Sequence, residues 1–238
     1  CLFWLALVVV PILITARCDS RGHRPSSSPL QDDSAATQDS GGDAHPATAP
    51  SAREAVLGTA RKCALFDSKE WLSSDRGFHT RSHPNCVSDY DAIIRKMARR
   101  YGFDWRLIAA QIYVESRFRS SAQSHVGARG LMQVLPSTAA FLGFDSTLLL
   151  DPQVNIAVGC RYDQRMYSLW GRQTTGAYRL PFALASYNAG RGRVLRSYST
   201  ERNRTTWDAV CPLLPGETRM YVHKIYLKYD LYTRHLLP

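Results

Sequence analysis

The sequence predicts a predominantly α-helical domain over residues 88–238. Three observations predict it. Apolar residues in that region recur at three- and four-residue spacing, and residues that start and stop helices stand at the ends of those runs. No stretch alternates apolar and polar residues strictly, as a half-buried strand would.

The elements follow in order. Ser88-Asp89-Tyr90-Asp91 resembles a capping box ahead of Ile93, Ile94, Met97, Ala98 and Tyr101, and Gly102 is the stop. Asp104 caps a second helix carrying Leu107, Ile108, Gln111, Ile112 and Glu115. Pro136-Ser137 opens a short helix ending at Gly143. Asp151-Pro152 opens a longer one reaching about Trp170, because proline suits the first helical position. Pro181 starts another, closed between Asn188 and Gly190. The last runs from about Glu217 to Tyr232, with Tyr221, Val222, Ile225, Tyr226 and Tyr229 on one face. No internal repeat is present.

The 238 residues suit one domain plus extensions, and 45% hydrophobic residues are enough for a buried core. Lys and Arg outnumber Asp and Glu by 30 to 20, a net charge of +10. That surplus fits an anionic partner such as nucleic acid, an acidic membrane or a cell-wall polymer, or simply a basic surface. A nucleic-acid binder is disfavoured because the charge is scattered and the aromatics fall at helix-core spacing. Residues 1–17 hold a nearly unbroken apolar run, Leu2 to Ile14, shorter than a comfortable membrane span. They read as a signal peptide or an N-terminal anchor, with lipid attachment at Cys18 a third option. Each places the remainder outside the cytoplasm, in the periplasm or cell envelope, with membrane contact only through this segment. Residues 18–54 are rich in Ser, Pro, Ala, Asp and Gly and read as a disordered linker. Residues 55–87 are an extension without clear periodicity.

Outside the leader stand Cys63, Cys86, Cys160 and Cys211. The expected bridges are Cys63 with Cys86 and Cys160 with Cys211, with a buried helix thiol the competing reading for Cys160. No cysteine sits in a metal-ligand spacing, so neither a metal nor a cofactor is expected.

Glu115 is the most informative residue. Gln111, Ile112, Ile108 and Leu107 precede it at helical offsets, which puts its carboxylate on the apolar stripe of its own helix. Poor solvation raises a carboxyl pKa and suits a general acid. A buried Glu paired with Arg117 or Arg129 fits the position equally well. The segment Val126-Gly127-Ala128-Arg129-Gly130-Leu131-Met132-Gln133 then brings two glycines, a flexible apolar side chain and an amide. Those residue types suit close backbone approach to a ligand, an apolar face for a sugar ring, and hydrogen bonding.

Taken in order, Glu115-Ser116, Gly130-Leu131-Met132-Gln133, Asn155, Ala185-Ser186-Tyr187-Asn188-Ala189-Gly190, and Glu217-Thr218-Arg219 with Tyr221-Val222 resemble the motif set of the soluble-type lytic transglycosylases. The resemblance covers nearly two-thirds of the chain. It implies a lysozyme-like helical fold shared with goose-type lysozyme, and cleavage of peptidoglycan between N-acetylmuramic acid and N-acetylglucosamine. It implies Glu115 as sole acid and later base, with Ser124 hydrogen-bonding near that carboxylate. Met132 and Gln133 would line the glycan groove, Tyr187 would sit over the site with Asn188 supporting its loop, and Tyr221 would lie near the centre. Asn155 would order the supporting helix. Ser186 departs from the family's usual Ala, and His125 from its usual Pro.

Most glycosidases use two carboxylates, and no second one stands out here. Asp151 reads as a cap, Asp145 and Asp163 occupy ordinary loop or helix positions, and Glu217 lies at a helix start. The resemblance implies substrate assistance instead, with the sugar's own 6-hydroxyl attacking to leave a 1,6-anhydro end. The rival readings are a lysozyme-like hydrolase and a non-catalytic peptidoglycan-binding component of a secretion apparatus. A cell-envelope machine is a further candidate partner. Tyr198, Trp207, Tyr226, Tyr229 and Tyr232 could stack on sugars or pack the core.

Overall fold

A computed structural model describes residues 86–236 except 175, 200, 201 and 203. The leader, the linker and all but the last two residues of the 55–87 extension lie outside them. The helices are α1 (Asp91–Tyr101), α2 (Trp105–Ser116), α3 (Pro136–Phe141), α4 (Pro152–Trp170), α5 (Arg179–Ala189), α6 (Arg191–Ser197), α7 (Trp207–Val210) and α8 (Gly216–His235), with 3₁₀ turns at Ser146–Leu148, Gly176–Tyr178 and Cys211–Leu213. Among the described residues there is no strand, only isolated bridges such as Gln123 with Arg129 and Arg129 with Val134.

The ends form for the expected reasons. Asp91 accepts hydrogen bonds from the Val87 and Ser88 amides and the Ser88 hydroxyl, but the reciprocal bond to Ser88 Oγ comes from the Tyr90 amide, so only half of the predicted box forms and α1 starts at Asp91 behind the uncapped Tyr90. Gly102 ends α1 at φ 78°, a conformation that costs glycine little. Asp104 accepts from the Arg106 amide and Asp151 from the Val154 amide. Helix α5 begins at Arg179, ahead of the expected Pro181, and α8 reaches His235. Helices α6 and α7 went unforeseen, since each is too short to show a period.

Packing makes a closed ring: α1 on α2, α2 on α8, α8 on α5, α5 on α4, and α4 back on α1. Helix α2 is apolar nearly all round and lies buried within it, from Trp105 to Tyr113 with Arg106 the exception. Ile94, Ile108, Ile112, Phe182 and Ile225 have no exposed surface. Trp170 stacks on Phe182 at 4.7 Å between centroids and donates its indole N–H to Ser186 Oγ at 2.8 Å. That bond gives the serine a use where the family more often has alanine. Trp207, Tyr226, Tyr229 and Tyr232 are core residues.

Cys160 is a free thiol, so the expected bridge to Cys211 does not form, and Cys63, the expected partner of Cys86, lies outside the described residues. Cys160 is fully buried in α4, which is the competing reading of that residue. Among the described residues no helix is long and apolar enough to cross a membrane, and no cluster of His, Cys, Asp and Glu is placed to hold a metal ion.

Candidate active site

Two constructions adjoin α2, the helix that carries Glu115. The first is the loop after α2. Arg117 and Phe118 adopt positive φ, turning the chain away from the helix immediately after Ser116. The chain then folds into a compact loop over 122–134, closed by Ser124 N–H to Ala128 O, Gly130 N–H to Ala122 O, and paired bonds between Arg129 and Val134. Asn155, fully buried on α4, holds it down. Its Oδ1 accepts from the Met132 amide at 2.7 Å, and its Nδ2 donates to Arg129 O and Leu149 O at 2.8 Å each. Gly130 has φ 75°, and a Cβ there would come within 2.3 Å of Asn155 Nδ2 and 2.5 Å of Leu149 O. Glycine is required at that point by space as well as by conformation.

The second construction is a line of polar side chains through the middle of the domain. Tyr221 on α8 donates its hydroxyl to Glu115 Oε1 at 2.7 Å. Gln111, one turn before Glu115, donates through Nε2 to Tyr221 Oη at 3.2 Å and to Asp163 Oδ1 on α4 at 3.2 Å. Glu115 keeps part of its surface. Desolvation raises its pKa to about 8, the Tyr221 hydrogen bond pulls it down, and the charge of Glu217 pushes it up. Among the described residues no arginine pairs with it, Arg117 and Arg129 included, so the paired-glutamate reading does not apply. Below about pH 8 the group carries a proton that it can give away.

Of the residues expected at the site, Tyr221 is buried beside Glu115. Tyr187 donates its hydroxyl to Met132 O at 2.8 Å, joining α5 to the loop, and its ring packs on Tyr162 at 5.2 Å. Burial pushes the Tyr187 hydroxyl well up, with Asp163 and Glu115 adding to the effect, so it stays a donor. Asn188 is exposed and accepts from Thr218 Oγ1 at 2.9 Å, tying α5 to α8.

Three residues stand differently from expectation. Met132 is wholly buried with its sulfur against the Gly159 backbone, so it meets the site through its carbonyl and its side chain fills the core. Ser124 spends its hydroxyl oxygen on the Ala128 amide at 3.0 Å and makes no hydrogen bond to Glu115. Gln133 has φ 47° and folds its amide onto Ala122 O and Gly130 O, which makes it a brace of its own loop.

Asp163 is the residue that sequence reasoning passed over. It is buried, and desolvation raises its pKa well above the carboxylate range. Its signal was an acid on the inward side of α4, spaced with Ile156, Cys160 and Met166. Beside Tyr162 the surface opens into a shallow depression of about 310 Å³, lined also by Ser137, Thr138, Phe141, Arg165 and Arg191.

Residues 92–210 match the family model described as the transglycosylase SLT domain. The chain belongs to that family. It is 37% identical over 142 residues to a membrane-bound lytic murein transglycosylase F of Desulfosudis oleivorans, covering 58% of this chain and 31% of that protein. It is 31% identical over 168 residues to a membrane-bound lytic murein transglycosylase C of Cronobacter sakazakii, covering 61% and 46%. In three dimensions it resembles the 70 kDa soluble lytic transglycosylase of Escherichia coli, with TM-score 0.53, 26% identity, and 76% of this chain and 29% of that one covered. The chain thus spans less than half the length of these relatives. The fold is the lysozyme-like helical fold of this SLT-domain protein.

Proposed function

We propose that this protein is a peptidoglycan lytic transglycosylase, exported to the cell envelope, whose substrate is the glycan strand. The observation that carries the reading is Glu115 with its Tyr221 hydrogen bond: a carboxyl group still protonated near neutral pH, on a residue that keeps part of its surface, in a domain of this family. Protonated Glu115 donates to the oxygen linking N-acetylmuramic acid to N-acetylglucosamine, and the bond to the muramic anomeric carbon breaks. The muramic N-acetyl carbonyl stabilises the developing cation. Glu115, now a carboxylate, accepts the proton of the muramic 6-hydroxyl as that oxygen bonds to the anomeric carbon. The products are a free N-acetylglucosamine 4-hydroxyl end and a 1,6-anhydro end, and no water is consumed. Asp163 does not serve as a second reacting carboxylate, because it is buried and two side chains away from Glu115. Tyr187 and Asn188 tie the surrounding helix and loop together, so their part is to hold the glycan path in shape.

The test is mass spectrometry of purified peptidoglycan digested with the protein and with its Glu115→Gln variant. Anhydro-muropeptides from the first and none from the second are expected. Reducing ends would instead make it a lysozyme-like hydrolase. Binding without products from either would make it a wall-binding component.

A further inference from the structure

The carboxylate of Asp163 is only slightly exposed, and among the described residues no cation pairs with it. Around it stand Gln111 and Glu115 of α2, Cys160 and Tyr162 of α4, Tyr187 of α5 and Tyr221 of α8. A buried acid without a counter-ion is costly, and an apolar side chain would pack at that place without the penalty. What the acid does there is visible in the direction of the bonds. Gln111 gives one Nε2 hydrogen to Asp163 Oδ1 and the other to Tyr221 Oη, and the Tyr221 hydroxyl then points at Glu115 Oε1.

An amide has a second orientation in which oxygen and nitrogen change places with almost no change in shape. In that orientation Gln111 Oε1 would accept from Tyr221, and Glu115 would lose its donor. An acceptor on the far side of Gln111 selects the nitrogen, and Asp163 supplies that acceptor. In this geometry Oδ1 is the accepting atom, so any proton that the group carries sits on Oδ2. The arrangement leaves Gln111 Oε1 and Asp163 Oδ2 buried without partners. A network that only held helices together would not ordinarily leave two such atoms unmet.

We propose that Asp163 is the positioning residue of this site, fixing through Gln111 the direction in which Tyr221 donates to Glu115. The proposal rests on Glu115 being the acid/base. It is tested by a double-mutant cycle on peptidoglycan turnover: wild type, Asp163→Leu, Tyr221→Phe and the pair, with folding followed by circular dichroism. Asp163→Leu is expected to lower kcat about tenfold with KM unchanged. Asp163→Asn, whose Oδ1 accepts the same bond, recovers most of that loss. In the Tyr221→Phe background Asp163→Leu changes kcat by less than about twofold, since no hydroxyl remains to be oriented.

An equal effect in both backgrounds would assign Asp163 to packing and overturn the proposal, as would no effect in either. Glu115→Gln is measured alongside. Activity retained there would remove the premise, whereas its loss together with an unaffected Asp163→Leu would overturn the positioning role alone. Should Asp163→Leu fail to fold, Gln111→Leu takes its place in the cycle with the same two outcomes.

Discussion

The loop over 122–134, which follows Glu115 along the chain, and the polar line from Asp163 to Glu115 are built on opposite plans. In the loop hydrogen-bonding capacity is filled: Asn155 uses its side-chain oxygen and both amide hydrogens on backbone groups. The polar line leaves two buried acceptors unmet and puts an acid at each end. A saturated clamp has one stable arrangement, and breaking it costs stability. Along the unsaturated line desolvation holds the carboxyl groups away from their ordinary titration range, against the pull of their hydrogen bonds, which costs stability and gains chemistry.

The contrast is broken most severely at Asn155. Its replacement by alanine strands an amide and two carbonyls in the core, and at about 1–3 kcal/mol per buried group the expected loss is roughly 4 kcal/mol. Chemical denaturation measures it, and a loss below about 1 kcal/mol would mean the loop holds itself. The polar line responds the other way. An unfolded glutamate ionises near 4.5 and Glu115 in the fold near about 8. Between those values the folded state binds more protons, so the stabilising effect of the raised pKa is full below 4.5 and is lost as pH rises through 8. Glu115→Gln removes that titration. Relative to wild type it gains stability on the order of 2 kcal/mol at pH 7, discounted for the surface the residue keeps, and no more above about pH 8. Melting curves across pH 4–9 check this, and a pH-independent difference would contradict it.

Tyr221→Phe probes the junction between donor and acid. The Tyr221 hydrogen bond favours the carboxylate, so its loss moves the Glu115 pKa further up and carries the alkaline limb of the pH–rate profile with it. The rate on the plateau falls about tenfold, equivalent to roughly 1.4 kcal/mol, as the carboxyl group loses its orientation. An alkaline limb that stays in place would separate Tyr221 from the titration. The smallest effect is expected at Ser124. Alanine there removes one partly exposed hydrogen bond to the Ala128 amide, worth about 1 kcal/mol, and leaves the pH profile unmoved. A shifted profile would return Ser124 to the carboxylate.

Much of this was legible from residue order. The caps at Asp104 and Asp151, the stop at Gly102 and the apolar stripes of α1, α4 and α8 are local signals, and they stand where local rules put them. The position of Glu115 on an apolar stripe was equally local. Met132 and Ser124 were harder because motif membership does not say which way a side chain points. The sulfur of Met132 turns inward because Gly159, 27 residues on, leaves it room. Asp163 stayed hidden for a related reason: its partner Gln111 is 52 residues away, and only the packing of α4 against the rest of the ring brings them together. The Cys160–Cys211 bridge was expected because it keeps the pair within one segment, whereas a bridge needs two sulfurs that meet in space.

Helix α8 reaches beyond the span of the family match, which stops at residue 210, and it delivers both Thr218 to Asn188 and Tyr221 to Glu115. In a chain made from its N-terminus onward, those twenty residues are the last part of the site to be synthesised. A nascent chain can therefore already display Glu115 while lacking the hydroxyl that aims it. Under the proposed reading, the donor to the acid arrives late, with α8, well after the residue that it serves.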